Sequence, residues 1–246
     1  MSISRQVRSS ALFLMVLVLG FFAVLPMSQA INLGEEVKAS EVVQVKIWDK
    51  PDGTAHKCTG TAISEQWILT AGHCLEGEKH TDPNVPAHVV KVHFSNSKVN
   101  PGPAYSIDSY QISPSADMAL LRLSKPHKLS KYGVLSDSHQ FRVGEFVTLY
   151  GYGKGLHDAE VKSLRRAQLK VVGQDFSYIA GETLKMKGIT GASNHGDSGG
   201  PVVNAAGEII GVNVLGSHAA WYDPYAPSEA VDLSHYRQWV KDVAGV

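Results

Sequence analysis

The sequence predicts an all-β fold closed by a single C-terminal helix, and three observations carry that prediction. Short runs of apolar or alternating residues recur along the chain with turn residues between them. Only one segment, close to the C-terminus, repeats its apolar residues at helical spacing. Beyond an apolar leader, roughly 215 residues of ordinary globular composition remain, enough for one large β domain or two small ones. Many short strands at turn-bounded intervals favour barrels or sandwiches.

Taken in order, Met1–Ala30 reads as a secretory leader. Arg5 and Arg8 give a basic start, Ala11–Leu25 is apolar, Pro26 breaks the run, and Ser28-Gln29-Ala30 supplies small residues for cleavage. An uncleaved anchor is the alternative, but the run is short for a spanning helix. The mature protein is therefore expected to be secreted or periplasmic, with no membrane association after cleavage. The formal charge is zero and no basic run occurs, which argues against nucleic acid as a partner.

Val42–Trp48 partly alternates and Pro51-Asp52-Gly53 closes it with a turn. Thr59–Ile63, Trp67–Thr70, Val89–Phe94 and Met118–Leu123 follow as strands. Lys125–Arg142 is polar, holds Pro126 and Gly133, and reads as a connection between two units. Phe146–Tyr150, Leu164–Val172, Pro201–Val203 and Glu208–Leu215 complete the strand list. Tyr236, Trp239, Val240 and Val243 then mark the helix, with Ser234 as its expected cap and Gly245 just beyond. Cys58 and Cys74 are the two cysteines. In an exported chain such a pair reads first as a disulfide, with a zinc site as the weaker alternative.

Three segments carry chemistry. Gly196-Asp197-Ser198-Gly199-Gly200-Pro201 flanks a serine with glycines, which permit an unusual backbone and leave amides free to meet a developing oxyanion. A serine hydroxyl needs a base, and Thr70-Ala71-Gly72-His73-Cys74 offers one just after a strand. Asp117 heads the apolar run Met118-Ala119-Leu120-Leu121 and can orient that base. Each segment alone has a bland reading as a turn or loop. In the order His, Asp, Ser, and with the Ile31-Asn32-Leu33-Gly34 start, they resemble the trypsin/chymotrypsin family of serine peptidases.

That resemblance implies two six-stranded antiparallel β-barrels, one over residues 31–136 and one over 137–246 with the helix. It implies a serine endopeptidase in which His73 is general base then acid, Asp117 orients it and Ser198 is the nucleophile. The amides of Gly196 and Ser198 would form the oxyanion hole, and Cys58 and Cys74 would be bridged. A buried Asp197 would pair with a free α-amino group on Ile31; leader cleavage itself is expected to release that group, the alternative being that Ile31 simply begins a strand and a later cut activates the protein. No cofactor or metal is implied; the expected partners are a protein or peptide substrate and a protein inhibitor, and the protein is expected to be a monomer.

Departures from the pattern bear on specificity. The family often bridges the loop before the nucleophile to the far pocket wall, but here Asn194 and the Ala219/Ala220 region stand there. The pocket is then expected to be held by packing alone. Val214-Leu215-Gly216 replaces the usual Ser-Trp-Gly wall, and few disulfides with such a wall resemble a bacterial member more than a vertebrate digestive one. Ala192 falls where trypsins carry Asp, and Ser193 follows it. With Ala192, Ser193, Val214, Leu215 and Gly216 as the substrate pocket, an apolar or small residue before the cleaved bond is expected, since a buried Lys or Arg would lack a partner. His195 and His218 could instead recruit an acidic residue. Two rival functions stay open: a non-catalytic peptidase-like binding protein, and an esterase using G-x-S-x-G with Asp223 and His235. The esterase fold needs alternating strands and helices, which this chain does not display.

Overall fold

In the computed structural model, residues 31–50, 52–76 and 85–246 are described, so the leader lies outside the described residues. Thirteen strands run β1 Glu35–Glu36, β2 Val42–Ile47, β3 His56–Ala62, β4 Trp67–Thr70, β5 Val90–His93, β6 Tyr105–Ile112 and β7 Ala119–Leu123. They continue as β8 Phe146–Gly151, β9 Arg165–Ser177, β10 Gly181–Gly188, β11 Pro201–Val203, β12 Ile209–Gly216 and β13 Pro227–Asp232, before helix α1, Arg237–Ala244.

Among the described residues every pairing between these thirteen strands is antiparallel. The first barrel closes in the order β2-β3-β4-β7-β6-β5. The second runs β9-β10-β13-β12-β11-β8 and closes where β8 pairs β9, from Phe146 opposite Lys170 to Gly151 opposite Arg165. Two six-stranded antiparallel barrels are thus present, as expected. The segment counted with the first barrel from residue 31 begins on the second instead: β1 pairs β9, and Ile31 is buried among Val147, Leu149 and Leu169. The reason is complementarity, since Ile31 fills the second barrel's core while β2 starts only at Val42.

Strongly patterned strands fall where the sequence places them. In β9, Ala167, Leu169 and Val171 face inward and alternate with outward Arg166, Gln168 and Lys170. The strand β7, Ala-Leu-Leu-Arg-Leu, is almost wholly buried because it lies between β4 and β6 inside a closed barrel. The sequence reading missed β6, β10 and β13, which are polar or interrupted and are held in place by their neighbours' pairing.

The helix packs back across the molecule, with Val240 fully buried and Tyr236, Trp239 and Val243 against the larger core cluster that includes Met118 and Leu120. Its predicted cap is corrected. The residue before the helix is Tyr236, without a side-chain cap, and Ser234 instead donates its amide to Asp232 Oδ1 at 2.9 Å. Gly245 does close the helix in the left-handed conformation at φ 72°.

A single threonine ties the barrels together at the point that matters. Thr59 on β3 donates its amide to Ser198 O at 2.8 Å and its hydroxyl to Gly196 O at 2.9 Å. The same oxygen accepts from the Tyr152 amide at 3.0 Å, so one first-barrel side chain holds two segments of the second.

Candidate active site

The histidine is positioned by a short turn at the end of β4. Residues Gly72–Leu75 form one 3₁₀ turn, which carries His73 into the cleft while Cys74 and Leu75 point into the core. Cys74 is bonded to Cys58 on β3, with an S–S distance of 2.03 Å, so the turn is tied to its own barrel one strand back. That bond consumes both thiolates a zinc ion would need beside His73.

Asp117 grips His73 at two points. Its Oδ1 accepts the His73 amide at 2.7 Å, and its Oδ2 lies 2.7 Å from His73 Nδ1. An ionised carboxylate can only accept, so Nδ1 carries the proton and Nε2 is left as the basic nitrogen. Gly72 permits this approach, since a Cβ there would press on Asp117 Oδ1 and the Met118 amide. The Asp117 amide donates to Ala180 O at 3.2 Å, a contact that crosses to the β9–β10 hairpin. Burial draws the His73 pKa down, but the hydrogen bond and charge of Asp117 outweigh it and the net displacement is upward.

Ser198 sits on the tight turn before β11. Gly196 and Gly199 adopt positive φ, at 97° and 81°. Any side chain on Gly199 would run into Thr70 and the Thr59 carbonyl, so this glycine is required by a close approach as well as by its backbone. The Gly199 amide donates to Asn213 O at 2.7 Å, fixing the turn against β12. Among the described residues the amides of Gly196 and Ser198 donate to nothing, and both residues line a cleft of about 500 Å³ with His73. His73 and Ser198 also line a second cleft of about 400 Å³, on the side of Asn213, Val214, Leu215 and Gly216.

Asp197 points the other way, into the second barrel, and is completely buried. Its Oδ1 accepts from the Gly153 amide at 2.7 Å and its Oδ2 from the Asn194 amide at 2.9 Å. A Cβ on Gly151 or Gly153 would overlap this carboxylate, which explains the glycines that punctuate the end of β8. Burial pushes the Asp197 pKa up to about 7, against the pull of its two amide donors. No cation makes an ion pair with it among the described residues. Ile31 is fully buried beside Leu149, two residues along β8 from Gly151, and carries a φ of 37°, which is strained for a β-branched residue.

Of the five pocket residues read from the sequence, Val214, Leu215 and Gly216 line the smaller cleft, as do His195 and His218. Ala192 and Ser193, expected in the pocket, line neither cleft and are fully buried. Ala192 forms a cluster with Ala220 and Ala226, and Ser193 Oγ bonds Ser228 Oγ at 3.0 Å. A side chain on Gly216 would collide with Ser193, so the wall is in direct contact with that residue. The expectation that packing alone holds this pocket is corrected. Asn194 Nδ2 donates to Gly155 O at 2.9 Å, and Asn32 Nδ2 donates to Ala220 O. Asp223 and His235, the esterase candidates, line neither cleft.

Sequence reasoning missed Thr59, Gly153 and Asn32 as parts of the site, and it placed Asn194 beside the pocket without anticipating its bond to Gly155. Thr59 is one residue from Cys58 but carries no motif, and its role follows only from the meeting of the barrels. Gly153 sits in a visible Gly-x-Gly run, which could have been questioned as a close backbone approach.

Comparison with known proteins agrees with this architecture. The trypsin family model matches residues 31–240. Trypsin iota of Drosophila melanogaster is 30% identical over 203 residues, covering 77% of this chain and 79% of that one. Scolexin B of Heliothis virescens is 30% identical over 224 residues, covering 77% and 75%. Transmembrane protease serine 11E of Mus musculus is 28% identical over 218 residues, covering 79% of this chain but 50% of its own. Among solved structures, the scabies mite inactivated protease paralogues S-I1 and S-D1 share the fold. Their TM-scores are 0.68 and 0.71 at 22% and 19% identity, covering 86% and 87% of this chain and 98% and 97% of theirs. The chain belongs to the trypsin family of serine proteases.

Proposed function

We propose that this chain is a catalytically active, secreted serine endopeptidase. The observation that carries the proposal is the two-point grip of Asp117 on His73 in the cleft that also holds Ser198 and two undonated amides. With Nδ1 held by Asp117, Nε2 of His73 removes the Ser198 proton as Oγ attacks the substrate carbonyl. The resulting oxyanion is met by the amides of Gly196 and Ser198. The C–N bond breaks as His73 returns its proton to the leaving amine. Water then repeats the sequence on the acyl-enzyme and restores Ser198.

The residue before the cleaved bond is proposed to be apolar or small. Ala192 is buried with Ala220 and Ala226 and supplies no carboxylate for Lys or Arg, and Asp158, the one carboxylate lining the smaller cleft among the described residues, is paired with Lys154 at 3.7 Å. Peptides with Phe, Leu, Met or Ala at that position should outrun Arg and Lys peptides; an Arg preference overturns this assignment.

The active N-terminus is proposed to be Ile31, released by removal of the leader. A free terminal residue has no φ, so cleavage before Ile31 removes the strain at 37° and creates an ammonium on a residue buried in one cluster with Val147 and Leu149 of β8. Such a charge would offset the cost of an ionised, buried Asp197.

A non-catalytic binding role is the second reading, motivated by the two structural neighbours, which are named inactivated protease paralogues. Titration of purified mature protein with an organophosphonate serine reagent separates the two. Stoichiometric labelling that is absent from Ser198→Ala supports the enzyme; no labelling overturns it.

A further inference from the structure

The protein as a whole is electrically neutral, but one side of its cleft is not. The larger cleft, about 500 Å³ beside His73 and Ser198, adjoins a hollow of about 310 Å³, since Lys57, Lys98 and Tyr152 wall both. Six lysines line the combined surface: Lys46, Lys50, Lys57, Lys98, Lys154 and Lys162. Two carboxylates, Glu76 and Glu160, line it with them. Lys98 pairs with Glu160 at 3.5 Å and Lys154 with Asp158 at 3.7 Å. Lys46, Lys50, Lys57 and Lys162 make no ion pair among the described residues.

Strand register sharpens the anomaly. Lys57 on β3 stands directly opposite Lys46 on β2, and Lys46 stands directly opposite Lys91 on β5. Three ammonium groups in one row across adjacent strands repel one another, an arrangement that costs stability unless an anion lies over it. Burial together with the charge of Lys57 holds the Lys46 pKa below its ordinary value, and burial leads the same downward displacement at Lys98.

The direction of this surface relative to the reaction follows from the site. A substrate strand laid along Val214–Gly216 occupies the smaller cleft with its acyl half. With the scissile carbonyl at the Gly196 and Ser198 amides, the chain beyond the bond leaves past the Cys58–Cys74 bridge toward Lys57. We propose that the lysine-lined cleft is a binding site for acidic residues of the polypeptide substrate on the leaving-group side of the cleaved bond. The inference rests on the proposed peptidase activity for its biological use, but the cleft's affinity can be measured without turnover. Glu160 and Glu76 lower the field without cancelling it, because they face six lysines.

The test uses the mature protein and peptides that share one acyl half and differ only in the three residues after the bond. Acidic peptides should exceed alanine peptides in kcat/KM by about tenfold, the sum of two or three part-exposed ion pairs. Lysine peptides should fall below alanine, and the spread should shrink in 0.5 M NaCl. The double variant Lys46→Gln, Lys57→Gln should bring the acid-to-alanine ratio close to one. It should melt no lower than the parent, because a like-charge pair has gone. Equal rates for acidic and alanine peptides, or an unchanged ratio in the double variant, overturn the proposal. If no peptide is cleaved and the serine reagent fails to label, the peptidase reading has failed. The cleft is then tested by fluorescence anisotropy of an acidic peptide on Ser198→Ala protein. Salt-sensitive binding that the double variant loses sustains the site. Binding of a sulfated oligosaccharide without any acidic-peptide affinity refutes it.

Discussion

The two barrels share a strand count and a closure, yet they support the site by different physics. The first contributes side chains. His73 rides on a turn pinned by a disulfide, and Asp117 holds it by two hydrogen bonds of 2.7 Å. The second contributes the Ser198 hydroxyl and, around it, backbone. Its amides at Gly196 and Ser198 face the cleft only because the turn accepts positive φ at two glycines and Asp197 is anchored below. The first arrangement is covalently and locally fixed. The second depends on a buried carboxylate whose pKa stands near 7, so it is the half that protonation and the state of the N-terminus can alter. A site built from both is only as robust as its backbone half.

The comparison breaks most visibly if one side chain can be spared. Ser198→Ala and His73→Ala should each lower kcat/KM on the order of 10⁶-fold, and the double variant should be no worse, because the groups act as a unit. Peptide turnover by rigorously purified His73→Ala within tenfold of the parent would remove the first barrel's chemistry from the account.

The backbone half is tested by placing one extra residue ahead of Ile31. Blocking the α-amino group should cost on the order of 10²-fold in rate at pH 8, the usual loss when one oxyanion donor is misplaced. The sign with pH follows from Asp197. Its folded-state pKa of about 7 lies above the ordinary 3.8, so between those values the folded chain holds a proton that the unfolded chain has released. The blocked protein should therefore lose stability as pH rises from about 4 to about 7. A free Ile31 ammonium offsets that loss until it deprotonates, near or above pH 8. Identical melting curves for blocked and mature protein across this range would mean that Asp197 needs no terminal partner.

The disulfide offers a smaller perturbation confined to the first barrel. Cys58→Ala with Cys74→Ala removes a bridge spanning 16 residues and should lower unfolding stability by about 3 kcal/mol. Urea midpoints measure this directly. The effect on organophosphonate labelling of Ser198 should be slight, since Asp117 still holds His73 by two hydrogen bonds and the second barrel keeps its own anchors; a complete loss of labelling would show that the halves are not separable.

The mildest probe is the acid limb of the pH profile. Asp117 raises the His73 pKa despite its burial, so kcat/KM should climb through a value above the ordinary 6.5 as the imidazolium loses its proton. Asp117→Asn should shift that limb downward, in addition to lowering the rate. A limb at or below 6.5 in the parent would mean that burial outweighs the carboxylate.

What the sequence determined by itself was local chemistry. The glycine-flanked Ser198, His73 beside Cys74 and Asp117 ahead of an apolar strand could be read because each motif is contiguous. The strands β4, β8 and β11 could be read because their composition is that of strands. Tertiary structure decided whatever depends on residues meeting across the chain. Polar β6 and the Pro- and Glu-bearing β13 become strands because β7, β10 and β12 lie beside them and supply hydrogen-bond partners. Thr59 gains its role from a carbonyl 137 residues away, and Asn194 and Asn32 stand in for a missing bridge through bonds that no spacing rule anticipates. The row of Lys57, Lys46 and Lys91 exists only in the register of three strands. Sequence patterns record the preference of a residue for its immediate neighbours. Pairing register and barrel closure are set by the packing of the whole chain, and charge crowding and buried carboxylates arise there.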